Sequence, residues 1–145
     1  MTNAEPDAPR TVVPIESAVL IAQAFDQAQV TELRHSVTSC AYASGLRGQR
    51  LDDFVLAVNE LITNAVRHGG GRGSLRLWRQ PGRLVCEVAD HGHGISAHRL
   101  RDRSRPAPET AGGWGLWLAR ELSDTMDVDT GDAGTLVRIT ATVDR

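Results

Sequence analysis

The stretch Asn59-Glu60-Leu61-Ile62-Thr63-Asn64-Ala65-Val66-Arg67-His68 decides how this chain can fold. It lies in an amphipathic helix predicted over residues 50–68, because apolar residues recur there at the helical period. The predicted core-facing stripe consists of Phe54, Val58, Leu61, Ile62 and Ala65. Glu60 and Asn64 are one turn apart and project together from another flank. A carboxylate beside a carboxamide can place a general base next to a metal ligand, although such a pair alone is more typical of a wet helix face.

Composition narrows the class of protein. A chain of 145 residues suits one domain, and 41% hydrophobic with 23% charged residues is ordinary for a soluble globular protein. A net charge of -2 gives no general attraction to nucleic acid or to an anionic membrane. No apolar run approaches the roughly 18 residues that span a bilayer, and the acidic N-terminus does not resemble a signal peptide. We expect a cytoplasmic protein in which Cys40 and Cys86 are reduced thiols.

The first third of the chain predicts a tail and two helices. Residues 1–10 are expected to be a disordered tail, and residues 11–145 one domain. A short edge strand is predicted over 11–15 and a partly helical segment over 17–28. A clearer helix follows over 30–44, with Leu33, Val37 and Tyr42 as expected core contacts. His35 in this helix is disfavoured as a phosphoacceptor, because no acidic residue follows it directly and no second hairpin helix accompanies it.

Two hairpins are predicted from alternating apolar residues and turn signals. Residues 74–80 and 84–89 flank Pro81-Gly82, and residues 126–130 and 135–143 flank the turn at 131–134. The first hairpin runs directly into Asp90-His91-Gly92-His93-Gly94. Alternating glycines let backbone approach a flat ligand closely, and the Asp carboxylate can accept from an exocyclic amine. A metal site at His91 and His93 is disfavoured because further ligands are not obvious.

A polar segment and a glycine-opened helix follow. Residues 96–111 are rich in arginine and proline and predict a mobile lid; the arginines fit phosphates, an acidic partner or plain solvent. Gly112-Gly113-Trp114-Gly115-Leu116 then opens a helix. Free N–H groups at a helix start, with the positive end of its dipole, can cradle phosphate. A single glycine cluster is a weak signal by itself.

Four motifs in order carry a resemblance. They are Glu60-x3-Asn64-x2-Arg67, Asp90-x-Gly92-x-Gly94, Gly113-x-Gly115-Leu116 and Gly134-Thr135. The chain resembles the GHKL ATPase superfamily, and most of all the bacterial anti-sigma factor serine/threonine kinases. This implies a two-layer α/β (α+β) sandwich of Bergerat type, in which helices cover one face of a mixed, mostly antiparallel sheet. ATP would bind beneath the lid at 96–111.

The resemblance also implies roles for residues. Glu60 matches the general base, Asn64 would coordinate Mg²⁺, and Asp90 would accept from the adenine amine of ATP. Further nucleotide contacts are implied for Arg67, His68, Gly92, Gly94, Gly112, Gly113, Gly115, Leu116 and Thr135. Of these, Gly92 and Gly94 would admit the base, Thr135 would lie near it, and Gly112 would allow the lid to move. His68 has no specific role, and Trp114 leaves the phosphate geometry open because relatives carry other residues there.

The implied activity is an ATP-dependent serine/threonine kinase. Its substrate would be a STAS-type anti-sigma factor antagonist, and its second partner a sigma factor, with no direct contact to nucleic acid or membrane and a homodimer left open. The short lid argues against a clamp ATPase. Two alternatives remain: a catalytically weak nucleotide-binding module that sequesters a regulatory partner, and a stand-alone histidine kinase catalytic domain. Acid stability of the phosphorylated product separates the two kinase hypotheses.

Overall fold

The computed structural model describes residues 12–14, 17–92 and 114–143. Its helices and strands are β1 (Ala18–Asp26), α1 (Val30–Ala43), α2 (Gly48–His68), β2 (Arg72–Gln80), β3 (Arg83–Asp90), α3 (Trp114–Leu122), β4 (Thr125–Gly131) and β5 (Gly134–Thr142). A 3-10 turn, Gln27–Gln29, joins β1 to α1. The predicted tail and lid, together with Gly94, Gly112 and Gly113, lie outside the described residues.

The strands form one five-stranded sheet in the order β1-β2-β3-β5-β4. Every pairing between neighbouring described strands is antiparallel. Both predicted hairpins are present, and β3 and β5 meet in the middle of the sheet. The predicted α+β class with a mostly antiparallel sheet is confirmed.

Helix α2 supplies the largest part of the core. All members of its predicted stripe are at most 2% exposed: Phe54, Val58, Leu61, Ile62 and Ala65. They pack against inner-face strand residues such as Leu75, Leu77 and Ile139. Burying each large aliphatic or aromatic side chain contributes about 1.5–3 kcal/mol, so packing fixes this helix more firmly than its helix propensity does.

Three local predictions were wrong. The segment predicted as partly helical is strand β1, and residues 12–14 belong to no strand. Helix-forming residues such as Ala and Gln misled the prediction, because backbone pairing with β2 overrides intrinsic propensity. Tyr42 is 53% exposed rather than in the core. Its ring instead contacts Arg47, whose guanidinium carbon lies 3.7 Å from the ring centroid.

The outer sheet face carries a buried ion pair. Glu87 is 3% exposed, and its Oε1 accepts a hydrogen bond of 2.8 Å from Arg76. Arg138 lies 3.6 Å from the other carboxylate oxygen. On the inner face, burial and the neighbouring Glu87 charge raise the pKa of the Cys86 thiol far above its ordinary value. Cys86 is therefore a neutral, unreactive core residue. No helix in the described residues is long and apolar enough to cross a membrane.

Candidate functional site

Glu60 and Asn64 lie where α2 meets the start of α3. Both are half-buried rather than on a fully wet face. Gly115, in the first turn of α3, is so near that a Cβ built on it would lie 3.3 Å from Glu60 Oε1 and 3.9 Å from Asn64 Oδ1. A larger residue at this position would fill the space in front of the pair. The N-terminal end of α3, where the helix dipole is positive and the first N–H groups have no partner within the helix itself, thus adjoins a carboxylate and a carboxamide.

At the end of β3, Asp90 packs against the backbone of Gly69 and Gly92. The residue is 9% exposed, and its Oδ1 accepts a hydrogen bond of 2.9 Å from the Gly92 N–H. A Cβ on Gly69 would lie 2.5 Å from Asp90 Oδ2. A Cβ on Gly92 would lie 2.7 Å from the Gly69 Cα and 2.8 Å from the His68 carbonyl oxygen. Real Cβ atoms do not approach other atoms this closely, so only glycine at 69 and 92 lets the end of α2 close over the end of β3.

Thr135 on β5 lies next to Asp90. It pairs with Asp90 across the β3–β5 ladder and is 4% exposed. Its hydroxyl oxygen lies 2.8 Å from that of Thr130 on β4, and either can donate. Gly134 has a φ of +140° and packs against the Asp90 backbone carbonyl. A side chain there would meet both a forbidden backbone conformation and a steric clash.

Helix α2 links the two clusters. Glu60 and Asn64 lie beside α3, whereas Gly69, just beyond the helix end, lies beside Asp90. At 1.5 Å per residue, Gly69 is about 7 Å along the axis from Asn64 and about 13 Å from Glu60. The two clusters are therefore far enough apart to contact opposite ends of one elongated ligand.

The remaining predicted site residues divide into three groups. Arg67 and His68 are exposed in the last turn of α2, where a basic side chain also complements the helix dipole. Leu116 is 9% exposed and belongs to the hydrophobic core, so only its backbone is free to meet a ligand. Among the described residues no group of three or more His, Cys, Asp or Glu side chains could hold a metal ion. His91 is exposed, and His93 lies outside the described part.

Two residues of these clusters were missed from the sequence. Gly69 was interpreted only as a helix stop, although its place directly after His68 could have suggested a contact at the end of the helix. Thr130 gave no signal, because its proximity to Thr135 depends on the β4–β5 register.

The fold has two layers, a sheet and helices. One of those helices carries a Glu–Asn pair beside the start of another helix, and an Asp lies between glycines at a strand end. These features are typical of a nucleotide-binding domain of the histidine kinase type. Residues 24–141 match the family described as the histidine kinase-like ATPase domain. Serine-protein kinase RsbW of Bacillus licheniformis is 30% identical over 125 residues, with 78% of each chain covered. A second RsbW sequence, from the ATCC 14580 strain of that species, is 29% identical over 126 residues.

Solved structures show the same fold. The RsbU and RsbW domains of Rv1364c from Mycobacterium tuberculosis give a TM-score of 0.61 at 19% identity, covering 86% of this chain and 33% of that longer one. The mycobacterial sensor histidine kinase MprB gives 0.54 at 18% identity, covering 84% and 97%. The chain belongs to the histidine kinase-like ATPase domain family, and within it resembles the anti-sigma factor serine kinases.

Proposed function

We propose that this protein is an ATP-dependent serine/threonine kinase that phosphorylates an anti-sigma factor antagonist of STAS type and thereby regulates a sigma factor. One observation carries the proposal: the Glu60–Asn64 pair adjoins the start of α3 in a chain 30% identical to a serine-protein kinase. A kinase needs a base for the substrate hydroxyl beside the groups that hold the phosphates. Helix α2 presents both kinds of group one turn apart.

Asp90 forms the adenine end of the proposed site. Its Oδ1 is engaged by the Gly92 N–H, and its Oδ2 lies beside Gly69. The carboxylate has acceptor capacity beyond this hydrogen bond, which suits an exocyclic amine. Glycine at 69 and 92 lets the end of α2 pack directly against the end of β3, and this packing holds the carboxylate that would accept from the base. Thr135, which pairs with Asp90 across the sheet, adds a hydroxyl group beside it.

Asn64 and the start of α3 form the proposed phosphate end. The Asn64 side-chain oxygen is a hard donor of the kind Mg²⁺ takes from protein, and Gly115 leaves space in front of it. The residues present therefore fit a Mg²⁺ ion, which would neutralise phosphate charge when bound. Backbone N–H groups from Gly115 and Leu116 would donate to phosphate oxygens. Exposed Arg67 adds a positive charge on the same helix.

Glu60 is the proposed general base. The hydroxyl oxygen of a substrate serine or threonine forms a bond to the γ-phosphorus, and the bond from that phosphorus to the β,γ-bridging oxygen breaks, releasing ADP. Glu60 takes the hydroxyl proton. Glu60 is half-buried beside α3, so its carboxylate would adjoin phosphate bound there and would accept the proton of an incoming hydroxyl. General-base catalysis of this kind contributes about 10²–10⁴-fold.

Phosphate transfer tests the proposal directly. The protein is incubated with γ-labelled ATP, Mg²⁺ and STAS-type proteins from the same genome, and the labelled product is treated with acid. We expect one such protein to carry an acid-stable phosphoserine or phosphothreonine. Acid-labile label on a separate hairpin protein would instead identify a histidine kinase domain. ATP binding without transfer to any partner would identify a nucleotide-binding module.

A further inference from the structure

The outer face of the sheet, which points away from the helices, carries a buried apolar cluster. Its members are Trp78 on β2, Val85 on β3 and Leu136 on β5, which are all at most 7% exposed. None of them belongs to the core that α1, α2 and α3 share with the inner face. Glu87, two residues after Val85, lies on the outer face as well and is equally buried. The outer face is therefore covered, although the described helices pack on the other one.

Neighbouring side chains cover Trp78 only in part. The Arg76 guanidinium carbon lies 5.3 Å from the centroid of the Trp78 ring, and the indole N–H donates to Gln80 Oε1 at 2.9 Å. On β1, the cross-strand partner Val19 is itself 52% exposed. Strand side chains stand roughly perpendicular to the sheet, so flanking residues shield the edges of a side chain, and a second layer is needed to cover its top. A further stretch of polypeptide must therefore lie over the ring.

The chain enters β1 beside this cluster. Ala18, the first residue of β1, pairs with Arg79, the residue that follows Trp78. Just before the strand, the Ser17 N–H donates to the Pro14 carbonyl oxygen at 3.0 Å, which is the hydrogen bond of a reverse turn. Such a turn directs the preceding residues back along β1, so they return over the sheet instead of leaving it.

Two other courses for these residues are disfavoured. Residues 12–14 belong to no strand, so they do not extend the sheet beside β1. The groove between β1 and α1 is an open cavity of about 580 Å³, so they do not fill it. Yet Val13 is half-buried, whereas Val12 beside it is 86% exposed. One side of this stretch therefore lies against the protein, and the outer face is the surface that remains.

The chain that joins β3 to α3 is a poorer candidate for this cover. It starts beyond Asp90, which lies five residues, or about 17 Å, along β3 from Val85. It returns to α3, which packs on the inner face. The residues that precede β1 instead start beside Trp78.

We propose that the outer face is a docking surface for the N-terminal segment of this chain, residues 1–13, with Val13 packed over Trp78 and Val85. The three strand spacings from β1 to β5 amount to about 14 Å, and five extended residues span about 17 Å, so the segment is long enough to cross the cluster. Its attachment to β1 gives it a high effective concentration at this face, so a weak contact suffices. The polar composition of residues 1–10 favours no regular structure, and docking requires none.

Hydroxyl-radical footprinting of the full chain, read residue by residue by mass spectrometry, tests the proposal. Trp78 should be protected in the wild type. Val13→Asn should raise its labelling rate on the order of fivefold, because burying a carboxamide in place of an apolar side chain disfavours the docked segment. Val12→Asn is the matched control, since it makes the same change at the exposed neighbour and should leave the labelling of Trp78 unchanged. Circular dichroism confirms that each variant is folded.

The reciprocal experiment changes the sheet and reads the segment. Val85→Ala removes part of the surface under the segment and should raise the labelling of Val13. Val88→Ala is its matched control, because Val88 is on the same strand and equally buried, at 3% exposed, but belongs to the core on the inner face. It should leave the labelling of Val13 as in the wild type.

Three results would overturn the proposal. One is a folded Val13→Asn variant in which Trp78 stays protected, and another is an equal effect of Val85→Ala and Val88→Ala on Val13. The third is protection of Trp78 that appears only as the protein concentration rises, which would assign the cover to another chain. All of these measurements are made without nucleotide, so they are independent of the proposed kinase activity.

Discussion

Gly69 and the carboxyl group of Asp90 are in direct contact: a Cβ on Gly69 would lie 2.5 Å from Asp90 Oδ2. The residue that ends α2 and the residue that ends β3 thus share one small space. The orientation of the Asp90 carboxylate therefore depends on the absence of a side chain at position 69.

Gly69→Ala should displace Asp90. Because the added methyl group meets carboxyl and Cβ atoms rather than open space, we expect destabilisation of about 1–3 kcal/mol and a loss of ATP affinity of about tenfold or more. Calorimetric titration with Mg-ATP and thermal unfolding measure both effects. Gly131→Ala is the control, since a Cβ there has no neighbour within 4 Å. Unchanged ATP affinity in folded Gly69→Ala would separate Asp90 from nucleotide binding.

Asp90→Asn tests how the base is selected. The Asn oxygen can keep the hydrogen bond from Gly92, but its amide group replaces a carboxylate oxygen with a donor. Guanine offers a carbonyl where adenine has its amine, and an unpaired buried polar group costs about 1–3 kcal/mol. We expect wild-type protein to prefer ATP over GTP by roughly 5- to 150-fold.

The variant should bind ATP more weakly and discriminate less, because the new donor can reach the guanine carbonyl. Titration of both proteins with both nucleotides gives the ratio. Equal binding of ATP and GTP by the wild type would remove the adenine role from Asp90.

Variants at Glu60 and Asn64 should affect different steps, phosphate transfer for Glu60 and nucleotide binding for Asn64. Asn64→Ala removes the proposed Mg²⁺ donor and should abolish most Mg-ATP affinity. Glu60→Gln keeps the size of the side chain but removes the proton acceptor. It should bind ATP almost normally and transfer phosphate about 10²–10⁴-fold more slowly. Single-turnover transfer to the antagonist, beside a binding isotherm, measures both quantities.

Unchanged transfer by Glu60→Gln would show that this carboxylate is not the base. Loss of binding in step with loss of transfer would place Glu60 in the nucleotide site.

Asp124 should make stability depend on pH in the acid range. Its carboxylate accepts from the Thr142 N–H and pairs with Arg50 at 3.2 Å, which ties the start of α2 to the end of β5. Burial alone would raise the pKa of Asp124, but the hydrogen bonds from Thr142 and Arg50 outweigh it and lower the pKa below 3.8. Because the pKa of Asp124 is lower in the folded protein than its ordinary value of 3.8, the carboxylate stabilises the fold fully at pH values above 3.8. This contribution to the free energy of unfolding is lost as the pH falls through the pKa of the folded protein.

Asp124→Asn should therefore be less stable than wild type at neutral pH by about 0.2–1 kcal/mol, a small value because the pair is largely exposed. The difference should vanish in acid. Urea unfolding across the pH range measures it, with Asp132→Asn in the exposed β4–β5 turn as the control. A difference that persists in acid would point to packing rather than charge.

Much of the fold was predictable because local patterns and global packing agree. The stripe of α2 and the two hairpins were placed within a few residues, since helical and strand periodicities are properties of the chain itself. Strand β1 was not, because Ala-rich segments are compatible with either state and pairing with β2 decides between them. Tyr42 was wrongly predicted to lie in the core for a related reason. The helical period places it on the apolar side of α1 but does not show that the last turn of this helix is exposed.

The sequence by itself determined the α2 stripe, the Glu60–Asn64 spacing and the order of the glycine motifs, because each is a matter of separation along the chain. Only the tertiary structure decided that Gly115 lies against that pair, that Gly69 lies against Asp90, and that β1 pairs with β2 at one end of the described sheet. Those relationships join residues many positions apart, and strand order and register, which no local pattern encodes, bring them together.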